Sequence, residues 1–155
     1  MDADICFKVL EYNTHLFLDT VVEPFVEKPY DEERRQEIAK RVHDFDIVGL
    51  NEVWSNNSKR IIGTEFSKDW CYDDNNNPLQ MGSGLVILSK FRILSHSFTE
   101  YNDLTSSDAY SQKGFLTAKI NFKDELGQDI LFVVTHMQSG TNEEEKKLER
   151  KTLNN

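Results

Sequence analysis

The run Asp46-Ile47-Val48-Gly49-Leu50-Asn51-Glu52-Val53-Trp54 constrains the fold more than any other stretch of this chain. Ile47 to Leu50 are apolar or small without a break, and so short a run, bounded by charge, reads as a buried strand rather than a helix. Glu52 then stands at the strand's C-terminal end. In open α/β sheets ligands bind in the crevice beyond those ends, so a carboxylate there is placed to meet a ligand or a metal. Taken alone, a Glu in that place is as well explained by an ion pair or by simple solvation, and other stretches have to shift the balance.

Length allows one domain with a real core, since 155 residues suffice for that and nothing resembles a linker. Lys and Arg total 18 against 27 Asp and Glu, a formal charge of -9. Such a balance repels a polyanion, which argues against sequence-independent grip on nucleic acid. The two cysteines, Cys6 and Cys71, do not make a disulfide framework, and free thiols are expected. No apolar stretch approaches the length of a membrane span, and Met1-Asp2-Ala3-Asp4 lacks the basic start and apolar core of a secretory signal. The expectation is a cytoplasmic chain by default, secreted if an upstream segment is missing.

Along the chain, Ile5 to Asn13 reads as the first strand, closed by Asn13. Pro24 and Pro29 block a continuous helix in the connection that follows. A helix begins at Asp31, with Glu32 and Glu33 in its first turn, a stripe of Ile38, Ala39, Val42 and Phe45, and Glu37 four residues before Arg41. Strand, connection, helix and strand make a crossover, although order alone does not make the strands neighbours. Ser55 to Ser58 offer caps for a short helix through Ile61, Ile62 and Phe66, weakened by Gly63. The Asp73 to Pro78 stretch is a polar loop, ended by Gly82-Ser83-Gly84. Leu85 to Leu88 and Ile93 to Tyr101 are expected to pair as a hairpin, and Phe115 to Phe122 with Asp129 to Thr135 as a second one. A charged helix is expected after Thr141.

Asn13, Glu52 and His136 each close a predicted strand. If those ends share a rim, an amide, a carboxylate and an imidazole meet there. A hard ion such as Mg²⁺ needs few carboxylates and keeps several waters, so one Glu can anchor it while a phosphate oxygen completes its shell. His136 would then hydrogen-bond a phosphoryl oxygen or a leaving group. Singly, Asn13 is equally well read as a turn cap and His136 as a hydrogen-bonded strand end.

The ordered motifs Phe7-Lys8-Val9-Leu10-Glu11-Tyr12-Asn13, Asp46 to Trp54, Gly84-Leu85-Val86-Ile87-Leu88-Ser89-Lys90 and Thr135-His136-Met137-Gln138 resemble those of the endonuclease/exonuclease/phosphatase superfamily. With Gly82-Ser83-Gly84, Ser89-Lys90-Phe91-Arg92-Ile93 and Lys113-Gly114-Phe115, the chain is most similar to the neutral, Mg²⁺-dependent sphingomyelinases. The resemblance implies an α/β fold, part of a four-layer sandwich of the DNase I-like type, with one mixed sheet and flanking helices in this chain. It implies hydrolysis of a phosphodiester, sphingomyelin to ceramide and phosphocholine. By it, Glu52 ligates Mg²⁺ (or Mn²⁺), Asn13 contacts phosphate or supports the metal, and His136 is the catalytic group on the phosphoryl. Asn51 departs from the Gln usual before that Glu. The shorter amide bears on positioning around the metal rather than on metal binding itself.

A Gly-Asp-x-Asn motif and a closing Ser-Asp-His motif, the source of general base and orienting Asp in the family, do not occur in this sequence. The expectation is therefore that residues 1–155 form one domain of this type, incomplete at its C-terminus and inactive or nearly so as it stands. His15, His43 and His96 have no motif around them that suggests a base, and His15, two residues beyond Asn13, is the first suspect among them. A non-catalytic remnant that holds metal or phosphate, and a nuclease or other phosphoesterase of the superfamily, are the alternatives. The partners implied are a phospholipid headgroup or other phosphodiester and a transient contact with a membrane surface. Leu85 to Leu88 and Ile130 to Val134 need cover on both faces; without a second sheet from elsewhere, self-association through an uncovered sheet face is expected.

Overall fold

The computed structural model describes residues 6–16, 31–66, 68–73, 82–101 and 112–137. Strand β1 (Val9–Leu16) leads to helix α1 (Asp31–Arg41), which tightens into a 3-10 turn (Val42–Asp44) before strand β2 (Ile47–Val53). The two strands are parallel neighbours, from Val9 opposite Ile47 to Asn13 opposite Asn51. The crossover expected from their order is therefore a true one, and it brings both C-terminal ends to one rim. Helix α2 (Asn56–Phe66) and strands β3 (Asp69–Tyr72) and β4 (Val86–Ser89) complete a mixed sheet of order β1-β2-β4-β3. Strands β5 (Ile93–Glu100), β6 (Gly114–Ile120) and β7 (Ile130–His136) form a second, antiparallel sheet, with the one-turn helix α3 (Lys123–Leu126) before β7.

Alternation along β2 decides the layers. Val48 and Leu50 join Val86 and Leu88 against Ile38 and Val42 of α1 and its turn and Ile62 of α2. Ile47, with Leu85 and Ile87, faces Leu116, Ala118 and Val134 of the second sheet. Each of these large side chains is under a tenth exposed, and burying one stabilises by roughly 1.5–3 kcal/mol. The layers are thus helices, mixed sheet and antiparallel sheet. The apolar stripe read for α1 is the buried one, and Ser55 caps α2 as expected, its Oγ accepting the Ser58 N–H at 3.3 Å.

Several expectations are corrected. Over β2 and β4 the mixed sheet is covered on both faces, because the second sheet of this same chain packs on the side away from the helices, while β1 at the edge stays exposed at Val9 and Tyr12. The side left open is the outer face of the second sheet, where Leu131 is 68% and Val133 49% exposed. Strands β4 and β5 do not form a hairpin: β4 pairs with β2 and β3, whereas β5 pairs with β6. Between them the chain turns from one sheet into the other, since the Phe91 ring packs at 4.1 Å from Phe122 and 5.8 Å from Phe7 in the layer between the sheets. The Ile93 N–H is taken by Asp69 at 2.8 Å, which fixes the corner. Strand β3 had no clear signal in the sequence. The β6 and β7 hairpin is as expected. Strand β1 begins later than read and runs beyond Asn13 through an irregularity to Leu16, which pairs with Val53.

Both cysteines are free, and burial, with Asp69 nearby, pushes the Cys71 thiol up to about 12. Among the described residues no helix is long and apolar enough to cross a membrane. The helix expected after Thr141 and most of the polar loop after Asp73 lie outside the described residues.

Candidate functional site

Parallel pairing puts Asn13 beside Asn51, and the Asn13 side chain reaches one residue further. Its Nδ2 donates to Glu52 Oε1 at 2.9 Å, while its Oδ1 accepts the His15 N–H at 3.1 Å. The strand bends here because Thr14 Oγ1 turns in to donate to the Asn51 carbonyl at 2.9 Å. Arg34 of α1 holds the same corner by donating to the carbonyls of Thr14 and His15. His15 and Glu52 both adopt left-handed backbone, with φ of 49° and 60°. For residues other than glycine that conformation costs about 1 kcal/mol or more each, and persists where surrounding contacts over-determine it. The effect is to aim two side chains at each other: His15 Nδ1 lies 3.0 Å from Glu52 Oε2.

His136 arrives from the other sheet. The sheets approach closely because Gly49 has no side chain, since a Cβ there would sit 2.4 Å from Val134 Cγ2. Two residues on, Asn51 Nδ2 crosses to the Thr135 carbonyl at 3.2 Å and ties the end of β2 to the end of β7. Tyr101 braces that end from β5's exit, its hydroxyl 2.6 Å from Thr135 Oγ1. His136, with 12% of its side chain exposed, lies beside the Trp54 ring and places Nε2 3.4 Å from Glu52 Oε1. Gly84, left-handed at φ 70°, lets the backbone approach the Trp54 ring.

Lys113, buried just before β6, sets its ammonium 3.0 Å from His136 Nε2 and over the Trp54 ring. The ammonium can only donate, so Lys113 brings a fixed positive charge against the His136 ring. Burial pushes the Glu52 carboxyl up, but hydrogen bonds from Asn13 and His15 and the charges of His136 and His15 outweigh it, and the group stays below the ordinary range. An ionised carboxylate, an amide, an imidazole and a buried ammonium therefore share one rim.

That donor set suits a hydrated divalent ion held by one carboxylate. Among the described residues no group of three or more His, Cys, Asp or Glu is arranged to hold an ion, so an ion at Glu52 would keep most of its water. The buried Asn51 Oδ1, next in sequence to Glu52, has no hydrogen-bond partner among the described residues. Asn13, Asn51, Glu52 and His136, each named from the sequence, thus come together. His15 joins them, whereas His43 stacks on Phe66 and His96 stands exposed in β5 opposite Ala118. Lys113 and Trp54 were quoted only as parts of motifs; the pairing that brings Gly114 opposite His136 is the fact that gives Lys113 its place.

Residues 10–128 match the endonuclease/exonuclease/phosphatase family. The chain belongs to that family. The match includes Asn13, Asn51, Glu52 and Lys113 and stops before His136. An inositol phosphosphingolipids phospholipase C of Schizosaccharomyces pombe is 31% identical over 123 residues, 74% of this chain and 28% of that protein. Sphingomyelinase C of Streptomyces griseocarneus superposes with a TM-score of 0.73 at 24% identity, over 94% of this chain and 55% of that one. A beta hairpin deletion mutant of the Staphylococcus aureus beta toxin gives 0.75 at 20% identity, over 93% and 57%. The beta toxin solved with bound magnesium ions gives 0.64 at 19% identity, over 88% and 51%. The endonuclease/exonuclease/phosphatase fold is thereby established for this chain, which spans about half the length of those structures.

Proposed function

We propose that this chain carries the metal-anchoring and phosphoryl-binding part of a Mg²⁺-dependent phosphodiesterase site of the sphingomyelinase type. The observation that carries the reading is the Glu52 carboxylate, held ionised with the help of Asn13 and set 3.4 Å from the His136 ring nitrogen that Lys113 also contacts. A divalent ion bound at Glu52 would supply the positive charge that polarises a phosphoryl oxygen. Asn13 orients the carboxylate, and Asn51 holds the two strand ends in register. His136 presents a ring nitrogen to a phosphoryl oxygen or leaving group, and the Lys113 ammonium adds a fixed positive charge to the same wall. The curated relative's name, a phospholipase C of inositol phosphosphingolipids, supports a sphingolipid phosphodiester as the substrate class. The S. griseocarneus structure, a sphingomyelinase C, supports sphingomyelin within it.

A second reading, metal or phosphate binding without turnover, is favoured by one feature. Water attack needs a base within hydrogen-bond reach of the nucleophile, and His15, the further imidazole at this rim, is engaged with Glu52.

The test is to titrate Mg²⁺ against the chain and its Glu52→Gln variant, and to assay sphingomyelin hydrolysis by the chain beside a form extended through the Gly-Asp-x-Asn and Ser-Asp-His motifs. Weak Mg²⁺ binding that is lost in the variant is expected. Turnover is expected from the extended form, with little above background from the chain, since a general acid or base contributes about 10²–10⁴-fold. Equal Mg²⁺ affinity in both proteins would sink the assignment of Glu52. Turnover by the chain alone that disappears with His136→Ala would show that its own residues supply the base.

A further inference from the structure

We propose that His15 is a second metal ligand beside Glu52, and that it turns the site toward divalent ions that accept an imidazole nitrogen, of the Co²⁺ and Zn²⁺ kind, over Mg²⁺. The inference rests on the reading of Glu52 as a metal anchor and adds to it a specificity that one carboxylate would not give.

The two oxygens of Glu52 have different surroundings. Oε1 accepts from Asn13 at 2.9 Å and lies 3.4 Å from His136, on the side of the second sheet. Oε2 meets His15 Nδ1 at 3.0 Å. Ligand atoms about 2.1 Å from a divalent ion and at right angles to each other stand about 3 Å apart. His15 Nδ1 and Glu52 Oε2 therefore already have the separation of two adjacent ligands on one ion. Replacing their hydrogen bond by an ion asks only that the ring proton sit on Nε2, the other tautomer of neutral imidazole.

The placement is built rather than accidental. His15 could rotate freely at the end of an ordinary strand, but its backbone is held in the left-handed region, its N–H by Asn13 and its carbonyl by Arg34. Glu52 is left-handed too, and these two are the described non-glycine residues with positive φ. The His15 side chain is 64% exposed against 19% for Glu52, so water has access to complete a shell on that side. Hard Mg²⁺ prefers oxygen and gains little from an imidazole, whereas Co²⁺ and Zn²⁺ take imidazole readily. A mixed nitrogen and oxygen pair thus discriminates by ligand type where a lone carboxylate does not.

The experiment is calorimetric titration of the chain with Co²⁺ and, separately, Mg²⁺, for the wild type, His15→Ala, His15→Gln and Glu52→Gln, with circular dichroism of each as a check of folding. Both His15 variants are expected to weaken Co²⁺ binding by on the order of tenfold and Mg²⁺ binding by less than about twofold. Glu52→Gln is expected to weaken both. In wild-type NMR spectra, Co²⁺ should shift or broaden the His15 ring resonances and leave those of His43 and His96 in place.

Unchanged Co²⁺ affinity in both His15 variants overturns the proposal, as does an equal loss for the two ions, which would make His15 a positioning residue for Glu52. His15 ring signals untouched by bound Co²⁺ overturn it as well. Glu52→Gln without effect on either ion would remove the metal-anchor reading itself, so the two failures are distinguishable.

Discussion

A methyl group on Gly49 would lie 2.4 Å from Val134 Cγ2, well inside contact distance, so Gly49→Ala forces the two sheets apart at the point where β2 passes β7. Overpacking of this kind costs about 1–3 kcal/mol, to be read as a lower urea midpoint with unchanged slope. Asn51 and Thr135 lie just beyond, so the variant should also lengthen their contact and weaken the Mg²⁺ binding proposed for Glu52. Asp46 makes a second case. Its carboxyl accepts the Lys8 N–H at 2.9 Å, and that bond, against some burial and with help from Lys90, holds it below the ordinary carboxylate range. A lowered folded pKa contributes stability that is complete above the unfolded value, near 4, and is lost as pH falls through the folded one. Asp46→Asn should therefore cost about 1 kcal/mol at neutral pH and flatten the acid side of the stability curve below about pH 4. Glu52 and His136 were legible in the sequence because each follows an apolar run, and Asn13 because it follows a mixed strand pattern, although β1 itself continues to Leu16. Asn51's reach to Thr135 and the seating of Lys113 on His136 were not, because both follow from how one sheet lies on the other.

At the scale of elements, the chain turns on Phe91. Leu85-Val86-Ile87-Leu88 followed by Ser89-Lys90-Phe91-Arg92 has the form of a strand and a tight turn, and local pattern favours a hairpin there. What prevents it is long-range: Phe91 finds Phe7 and Phe122 between the sheets, from opposite parts of the sequence. Local periodicity cannot report such a contact. Phe91→Ala is expected to destabilise by about 3 kcal/mol, the low end for a Phe truncation because the ring is partly buried. Hydrogen exchange should show the loss concentrated in β5, whose start would keep Asp69 and the pairing with β6 but lose its apolar anchor. Strand β3 was missed for the related reason that Asp69-Trp70-Cys71-Tyr72 is only four residues long, and its pairing with β4 is what makes it a strand.

For the whole molecule, burial is uneven. Both faces of β2 and β4 are covered, while Leu131 and Val133 stand on the open side of β7. Exposed apolar side chains in neighbouring positions favour association, so the chain is expected to sediment with a concentration-dependent mass and to bind a hydrophobic dye. Leu131→Lys with Val133→Thr should reduce both while leaving the melting temperature within a few degrees, since neither side chain is buried. A dilution-independent monomer that binds no dye would show that this face is well tolerated in water. A different property of the molecule follows from its sheet order. Among the described residues β1 pairs with β2 alone, at one end of the mixed sheet, and β7 with β6 alone, at one end of the other. The outer margin of each is a row of backbone donors and acceptors, a template for strand addition. An extended segment that joined β1 in parallel would finish at the level of Asn13, and its last side chains would come to the rim that holds Asn13 and Glu52. Strand addition at β1 is thus a way for groups from outside residues 6–137 to be installed at a rim that is already assembled.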